Sequence, residues 1–250
     1  MQSIKIRESA LSNNIIRNAY SILSGNLYLL DNKNENKTLV ITSCNPKEGK
    51  TALSSALAAT LAEMGHKTLL ADLNFRDMKR KTEANMSGIS HYLKGEKEIN
   101  EIICETNIEK LFFAGPGEYI ENPMPYLCSE KLDTFVRDMR EEYDYVVIDT
   151  PSLECVTDAV IISVKADAAI LVAKMGHTTL DDIKKAQEQF EKVNAKLMGV
   201  VLNRVSRKAY RKRFSSFNYF SRKNKSVNKE KEREIFIRTE EKILIKRSTV

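Results

Sequence analysis

Short apolar segments alternate with longer segments of helical periodicity between residues 38 and 203. The short segments, such as TLVIT at 38–42, are hydrophobic at consecutive positions, which predicts strands that are buried on both faces. In the longer segment 50–64, Leu53, Leu57 and Leu61 recur at helical spacing. The predicted strands are 38–42, 68–73, 111–114, 145–148, 168–172 and 197–202, and the predicted helices are 50–64, 130–142, 157–164 and 179–193.

This alternation of strands and helices indicates the fold class. Buried strands joined by helical connections form a mostly parallel central sheet with helices on both faces, which is a three-layer α/β architecture. A chain of 250 residues is long enough for one large domain. We assign that domain to 38–205. An N-terminal helix, about 13–30, and a polar linker occupy 1–37, and the composition of the C-terminal tail, 206–250, predicts that it is mobile.

Charge is distributed unevenly along the chain. The formal net charge is +6, but residues 204–250 carry 16 lysines and arginines against 5 acidic residues, whereas residues 1–203 carry 24 against 29. A basic tail on a mildly acidic body is typical of a solvated segment, of attraction to an anionic membrane surface, or of an acidic partner. No segment approaches the ~20 apolar residues of a membrane span and the N-terminus lacks the apolar core of a secretory signal, which predicts a cytoplasmic protein.

The four cysteines do not indicate a metal centre or a disulfide framework. Cys44, Cys104, Cys128 and Cys155 are far apart in the sequence, with no C-x-x-C pair and no histidine at ligand spacing. We expect them to be buried or incidental thiols in a reducing compartment.

The strongest chemical signal joins the first strand to the first long helix. In NPKEGKT at 45–51, backbone N–H groups and a helix N-terminus can bind phosphate oxygens. Lys50 can reach the β- and γ-phosphates, and the Thr51 hydroxyl can hold Mg²⁺. Cys44 stands where the general pattern has its first glycine, so the position between strand and helix carries more weight than the motif. Together they predict a P-loop NTPase that binds a nucleoside triphosphate with Mg²⁺.

Two further acids follow predicted strands. Asp72 lies near the end of the strand at 68–73, and Asp149 follows the strand at 145–148. The carboxyl ends of parallel strands beside a P-loop face the bound nucleotide, where a carboxylate can bind Mg²⁺ or position the attacking group. Either acid alone is equally well explained as a cap of the next helix. Both together, with the P-loop, favour nucleotide chemistry.

Several short motifs follow one another in a characteristic order. They are TSCNPKEGKT at 42–51, LLADLNFR at 69–76, GISHYLKGE at 88–96, AGP at 114–116, NP at 122–123, EEYDYVVIDTP at 141–151, TDA at 157–159 and GVVLNRV at 199–205. The set resembles the bacterial tyrosine kinases of capsule and exopolysaccharide gene clusters, the CpsD/CapB-like proteins, and covers about residues 19–205. These kinases belong to the P-loop ATPases that include the MinD and ParA proteins.

The resemblance implies ATP and Mg²⁺ as cofactors and assigns a role to each matching residue. Asp72 begins the second nucleotide motif of the family and Arg76 closes it, while Asn203 would lie beside adenine. The catalytic residues implied are Lys50, Asp72, Arg76 and Asp149, and the metal-binding residues are Thr51, Asn74 and Asp149. The nucleotide-binding residues implied are Pro46, Lys47, Glu48, Gly49, Lys50, Thr51, Ala52 and Asn203.

The resemblance also implies substrates and partners. The family transfers the γ-phosphate of ATP to tyrosines, commonly in the C-terminal tail of a neighbouring subunit, which implies a homo-oligomer. The tyrosines of this tail are Tyr210 and Tyr219, the candidate phospho-acceptors. A membrane-bound adaptor activates the family through its cytoplasmic tail, which implies a peripheral location at the inner face of the cell membrane. The aromatic and basic residues of the tail would suit an anionic membrane surface, and nothing in the body of the chain supports nucleic-acid binding.

Departures from the family pattern motivate two alternatives. The second acid of the second motif is Asn74, and the N-terminal oligomerisation signature is replaced by Asn18, Ser21 and Ser24. These changes suit a regulator of the same machinery that binds ATP but is catalytically weak or inactive. A partitioning ATPase of the ParA/MinD type would need a signature lysine at the position of Asn45. We therefore rank the kinase first, the regulator second and the partitioning ATPase third.

Overall fold

The computed structural model describes residues 3–4, 14–30, 37–76, 87–154, 157–206 and 235–236. Within these ranges nine strands form a single sheet. The strands are β1 (Ser3–Ile4), β2 (Thr38–Ser43), β3 (Thr68–Asp72), β4 (Ile103–Thr106), β5 (Leu111–Ala114), β6 (Tyr145–Asp149), β7 (Ala168–Lys174), β8 (Leu197–Asn203) and β9 (Ile235–Phe236). The helices are α1 (Asn14–Leu30), α2 (Lys50–Glu63), α3 (Ile89–Lys94), α4 (Ile99–Ile102), α5 (Met124–Leu127), α6 (Glu130–Glu142), α7 (Asp158–Lys165) and α8 (Leu180–Lys192).

The sheet is mostly parallel, as predicted. Its strand order is β1-β4-β5-β3-β6-β2-β7-β8-β9, and β4–β5 and β8–β9 are the antiparallel pairs within it. Because β3, β6, β2, β7 and β8 all run in one direction, their carboxyl ends lie along the same edge of the sheet. Ligands of open parallel sheets bind along that edge.

Helices cover both faces of the sheet, which confirms the three-layer α/β prediction. Leu39 and Ile41 of β2 pack in one hydrophobic core with residues of α1 and α2. Val40, between them, packs in a second core with residues of α6, α7 and α8. Since each face of β2 is buried, every residue of that strand is buried, and the sequence is hydrophobic at successive positions.

The predicted strands are all present, and none of their ends differs by more than two residues from the prediction. β4 was not predicted because its burial alternates: Cys104 is buried and Glu105 is exposed, so the segment lacks a continuous apolar run. The short helices α3, α4 and α5 were also missed, since four to six residues are too few to establish a helical period.

The tail assigned to 206–250 falls largely outside the described residues. Ser206 and β9 are described, and β9 pairs with Leu202 and Asn203 at the end of β8. The domain boundary and the mobility of the tail therefore stay predictions, and both Tyr210 and Tyr219 lie outside the described residues. In the part of the chain that is described, no helix combines the length and the apolar character that a membrane crossing requires.

Candidate active site

The loop between β2 and α2 has the backbone of a phosphate-binding loop. Lys47 and Gly49 both have left-handed backbone conformations, with φ angles of 61° and 102°. Left-handed residues in such loops help successive N–H groups converge into an anion-binding concavity. Gly49 is required for a second reason: a Cβ atom at this position would lie 2.2 Å from Nδ2 of Asn203. The predicted loop is therefore present, although Cys44 replaces its first glycine.

The Glu48 side chain points into the protein and holds this loop in place. Its carboxylate is fully buried. It accepts hydrogen bonds from the Asn45 backbone N–H at 3.0 Å and from Asn45 Nδ2 at 3.3 Å. The Thr178 hydroxyl, from the connection between β7 and α8, donates to the same carboxylate. Glu48 thus shapes the loop from within, and Thr178 is an anchor that the sequence analysis missed.

Lys50 and Thr51 begin α2 with their side chains directed to the strand ends. Lys50 Nζ donates to Ser43 Oγ at 3.1 Å, at the end of β2. The Thr51 hydroxyl donates to Oδ2 of Asp149 at 2.6 Å. Ser43 lies within the motif at 42–51, but it was not predicted as a site residue. The structure brings together Thr51 and Asp149, two of the residues predicted to bind Mg²⁺.

Asp72 and Asp149 lie side by side at the carboxyl ends of adjacent strands. Their Cα atoms are register partners in the β3–β6 pair, and both residues are largely buried. Asp72 also accepts a hydrogen bond from the backbone N–H of Asn74 at 2.9 Å. Two neighbouring buried carboxylates favour a bound cation, since like charges in a low-dielectric site need compensation.

The donors at this edge fit Mg²⁺. Carboxylates and a hydroxyl are hard oxygen ligands, and Mg²⁺ is usually held by one or two carboxylates together with substrate phosphates and water. Among the residues that the structure describes, no group of three or more His, Cys, Asp and Glu side chains could hold a metal ion by itself.

Asn203 completes the phosphate-binding loop from the end of β8. Its side chain is almost fully buried, and Nδ2 donates to the backbone oxygen of Glu48 at 2.8 Å. Its Oδ1 accepts from the backbone N–H of Arg204 at 2.7 Å. The predicted contact of Asn203 with adenine stays a prediction. The contact that the structure describes ties the loop to β8.

Arg76 lies at the same edge but is directed to α7. Its Nε donates to Asp158 Oδ2 at 2.8 Å, a terminal nitrogen donates to Asp158 Oδ1 at 3.2 Å, and another donates to the backbone oxygen of Glu121 at 3.2 Å. The hydrogen bonds to Asp158 raise the pKa of Arg76 above its ordinary value. Asp158 belongs to the TDA motif at 157–159, but it was not predicted as a site residue.

The other residues predicted to bind the nucleotide lie in or beside the phosphate-binding loop. Pro46 and Lys47 are exposed, and the backbone oxygen of Ala52 accepts from the Tyr20 hydroxyl at 3.3 Å. Cys44 is buried, and burial together with the nearby Glu48 charge raises its pKa to about 12. The thiol is therefore neutral, and the prediction of a buried thiol is confirmed at this position.

Comparison with known proteins places this chain in a family. A family model described as an AAA domain matches residues 36–201. The tyrosine-protein kinase CpsD of Streptococcus agalactiae serotype Ia is 37% identical over 176 residues, which are 69% of this chain and 76% of that protein.

Solved structures agree with the sequence comparison. The kinase domain of the Escherichia coli tyrosine kinase ETK superposes with a TM-score of 0.73 at 27% identity, covering 81% of each chain. The septum site-determining protein MinD of Pyrococcus horikoshii, complexed with Mg-ADP, has a TM-score of 0.58 at 21% identity over 71% of this chain and 76% of that one. The second likeness shows the fold alone. The chain belongs to the bacterial tyrosine-protein kinases that include CpsD, on a P-loop ATPase fold.

Proposed function

We propose that this protein is a tyrosine kinase that uses ATP and Mg²⁺ to phosphorylate its own C-terminal tail, and that it regulates capsular or exopolysaccharide synthesis and export. The observation that carries the proposal is the hydrogen bond from Thr51 to Asp149, beside Asp72 and at the end of the phosphate-binding loop. A hydroxyl and two carboxylates at a loop of this shape are the groups that a Mg²⁺-nucleotide needs.

Four of the predicted residues have separate tasks in this proposal. Phosphoryl transfer requires little covalent participation by the protein, so catalysis rests on positioning and on electrostatic stabilisation. Lys50 and the backbone N–H groups of the loop hold the phosphates of ATP, and Thr51 and Asp149 hold the metal. When bound, Mg²⁺ neutralises the charge that develops on the transferred phosphoryl group. Asp72 supports the metal or orients the tyrosine hydroxyl that attacks the γ-phosphorus.

The same proposal includes phosphate acceptors, a membrane surface and an adaptor protein. Tyr210 and Tyr219 accept the phosphate, in the same chain or in a neighbouring copy. Each phosphate adds about two negative charges, so phosphorylation weakens the attraction of the basic tail to an anionic membrane surface. The cytoplasmic tail of a membrane adaptor activates the kinase and holds it at the inner face of the cell membrane.

A second function is favoured by one observation. Asn74 stands where the family pattern has an acid, so the site carries one negative charge fewer. An ATP-binding regulator of the same machinery, with little or no transfer, would tolerate this change. The two functions differ in whether phosphotyrosine forms.

Phosphopeptide mapping of the purified protein after incubation with Mg-ATP tests the proposal. The incubation is carried out with and without the cytoplasmic tail of a candidate adaptor, and Lys50→Ala serves as the inactive control. Phosphate on Tyr210 or Tyr219 that depends on Lys50 supports the kinase. ATP binding without any phosphotyrosine contradicts the kinase and supports the regulator.

A further inference from the structure

Arg76 and Asp158 form an ion pair between two segments that are distant in sequence. The contact is bidentate, and the Asp158 side chain is only 3% exposed. Arg76 is partly exposed at 32%, and it also donates to the backbone oxygen of Glu121. Bidentate arginine–carboxylate pairs fix both distance and orientation more strictly than single hydrogen bonds do. The pair is therefore suited to holding two segments in one arrangement.

The two segments are those that carry the acids of the site. Arg76 follows Asp72 by four residues, in the segment that leaves β3. Asp158 begins α7, which is the next helix after Asp149 and β6. The strands β3 and β6 are neighbours, and their acids are register partners. The ion pair thus connects the segments beyond two adjacent strands on the side where both acids lie.

Other contacts hold the same region together. The Leu73 N–H donates to the Asp149 backbone oxygen at 2.9 Å, and the Ile120 N–H donates to the Phe75 oxygen at 3.2 Å. These bonds extend the β3–β6 pairing past Asp72 and attach the segment around Glu121. Arg76 reaches that segment and α7 together. Three of its five N–H groups donate to protein acceptors, so the guanidinium is oriented toward α7 and the segment around Glu121.

We infer that Asp158 is a positioning residue of the phosphoryl-transfer site, and that Arg76 acts through Asp158 rather than on the nucleotide. The β3–β6 pairing sets the separation of Asp72 and Asp149, and the ion pair holds the segments that follow them, which supports the geometry in which the two carboxylates share a cation. This inference rests on the proposed function for its catalytic consequence. It replaces the catalytic role that the family resemblance implies for Arg76.

The test compares Asp158→Asn with a matched control. The exposed pair Arg17–Glu63 has the same chemistry, with an Arg17 nitrogen 3.0 Å from Glu63, but lies on α1 and α2 away from the acids. Glu63→Gln is therefore the control, and Arg76→Gln is the second test variant. Asp158→Asn keeps the size of the side chain and avoids the buried unpaired carboxylate that Arg76→Gln creates. Thermal melts select a temperature at which all variants are folded.

The first readout needs no ligand. Amide hydrogen exchange is measured for peptides covering 69–76 and 117–122 in the nucleotide-free protein. We expect exchange in both peptides to increase about tenfold in Asp158→Asn and to remain unchanged in Glu63→Gln, because local protection follows the contacts that hold a segment. Equal exchange in the wild type and Asp158→Asn would overturn the inference.

The second readout separates positioning from general damage. We expect Asp158→Asn to raise the Mg²⁺ concentration for half-maximal phosphorylation about tenfold and to lower kcat by a similar factor, as loss of a supporting contact does at metal sites. Binding of ATP without Mg²⁺, which depends on the loop at 44–51, should be unchanged. The double variant should be no worse than Arg76→Gln alone.

The outcomes distinguish this inference from the proposed function. One outcome would show that Arg76 acts on the nucleotide and would overturn the inference. In that outcome Arg76→Gln loses far more activity than Asp158→Asn, and the losses from the two substitutions add in the double variant. A wild-type protein that binds ATP but forms no phosphotyrosine contradicts the proposed function. The exchange measurement still decides whether Asp158 positions the segment.

Discussion

The two halves of the candidate site are held in different ways. The phosphate-binding loop, 44–51, combines local contacts, such as those of Glu48 with Asn45 and of Lys50 with Ser43, with side-chain contacts from the distant residues Thr178 and Asn203. The second nucleotide motif, 72–76, depends on a contact with Asp158, which is 82 residues from Arg76. The loop is therefore held by several local and distant contacts at once, whereas the second motif needs the correct placement of α7.

The largest effect is expected for Lys50→Ala, at the end of the phosphate-binding loop where α2 begins. Removing a cation that stabilises the transferred phosphates should lower ATP turnover by about 10² to 10³-fold. Steady-state kinetics measures this change. Lys192→Ala, on the surface at the end of α8, is the control and should be neutral. Unaltered nucleotide affinity and turnover in Lys50→Ala would contradict the assignment of the loop.

The next largest effect is expected for Asn74, in the second nucleotide motif. Asn74→Asp restores the carboxylate of the family pattern beside Asp72 and should raise turnover by up to ~10²-fold at saturating Mg²⁺. The exposed Asn194→Asp, after α8, adds the same charge away from the strand ends and is the matched control. A rate for Asn74→Asp that is unchanged or lower would count against a role of position 74 near the metal.

An intermediate effect is expected for Thr178, whose hydroxyl anchors the phosphate-binding loop through Glu48. Thr178→Val removes the hydroxyl that donates to the buried Glu48 carboxylate, which should destabilise the fold by about 1–3 kcal/mol. ATP affinity should fall by about tenfold, because the loop loses its connection to the segment after β7. Calorimetric titration and thermal unfolding measure the two effects.

Thr60→Val is the control for this anchor. The Thr60 hydroxyl is also buried and bonds to the Ala56 oxygen at 2.8 Å, but it lies within α2. It should change stability without changing ATP affinity. If Thr178→Val behaves in the same way as Thr60→Val, then Thr178 does not shape the loop.

The smallest effect concerns Cys44, which is buried at the start of the phosphate-binding loop. Thiol reagents react with the thiolate, and burial raises the pKa of Cys44 to about 12. At pH 8 iodoacetamide should therefore modify the exposed Cys128 and leave Cys44 unmodified. Peptide mass spectrometry measures this difference, and labelling of the denatured protein is the positive control. Modification of Cys44 at the rate of Cys128 would contradict the packing of the loop.

The sequence predicts the fold and the first half of the site better than the second half. β2, β3, β6, β7 and β8 are buried on both faces, so their consecutive apolar residues identify them directly. The loop at 44–51 was predicted because its residues are contiguous. Asp72 and Asp149 were predicted because a parallel sheet brings strand ends to one edge.

The contacts that sequence reasoning missed are long-range or lack a pattern. Thr178 contacts Glu48, and Asp158 contacts Arg76, only after the chain has folded. The residues near Thr178 and Asp158 in the sequence do not indicate these partners. β4 was missed because one face is exposed, and its pairing with β5 is antiparallel. Side-chain partners across a fold depend on packing, which periodicity does not encode.

The central claim is that this site transfers phosphate to tyrosine. Purified protein is incubated with Mg²⁺ and ATP labelled at the γ-position, in the presence of candidate adaptor tail, and the label is followed into tyrosine, into water and into unreacted ATP. We predict Lys50-dependent label on tyrosine, which is lost in the variant carrying both Tyr210→Phe and Tyr219→Phe. Label that appears only as inorganic phosphate, or remains in ATP, would contradict the claim.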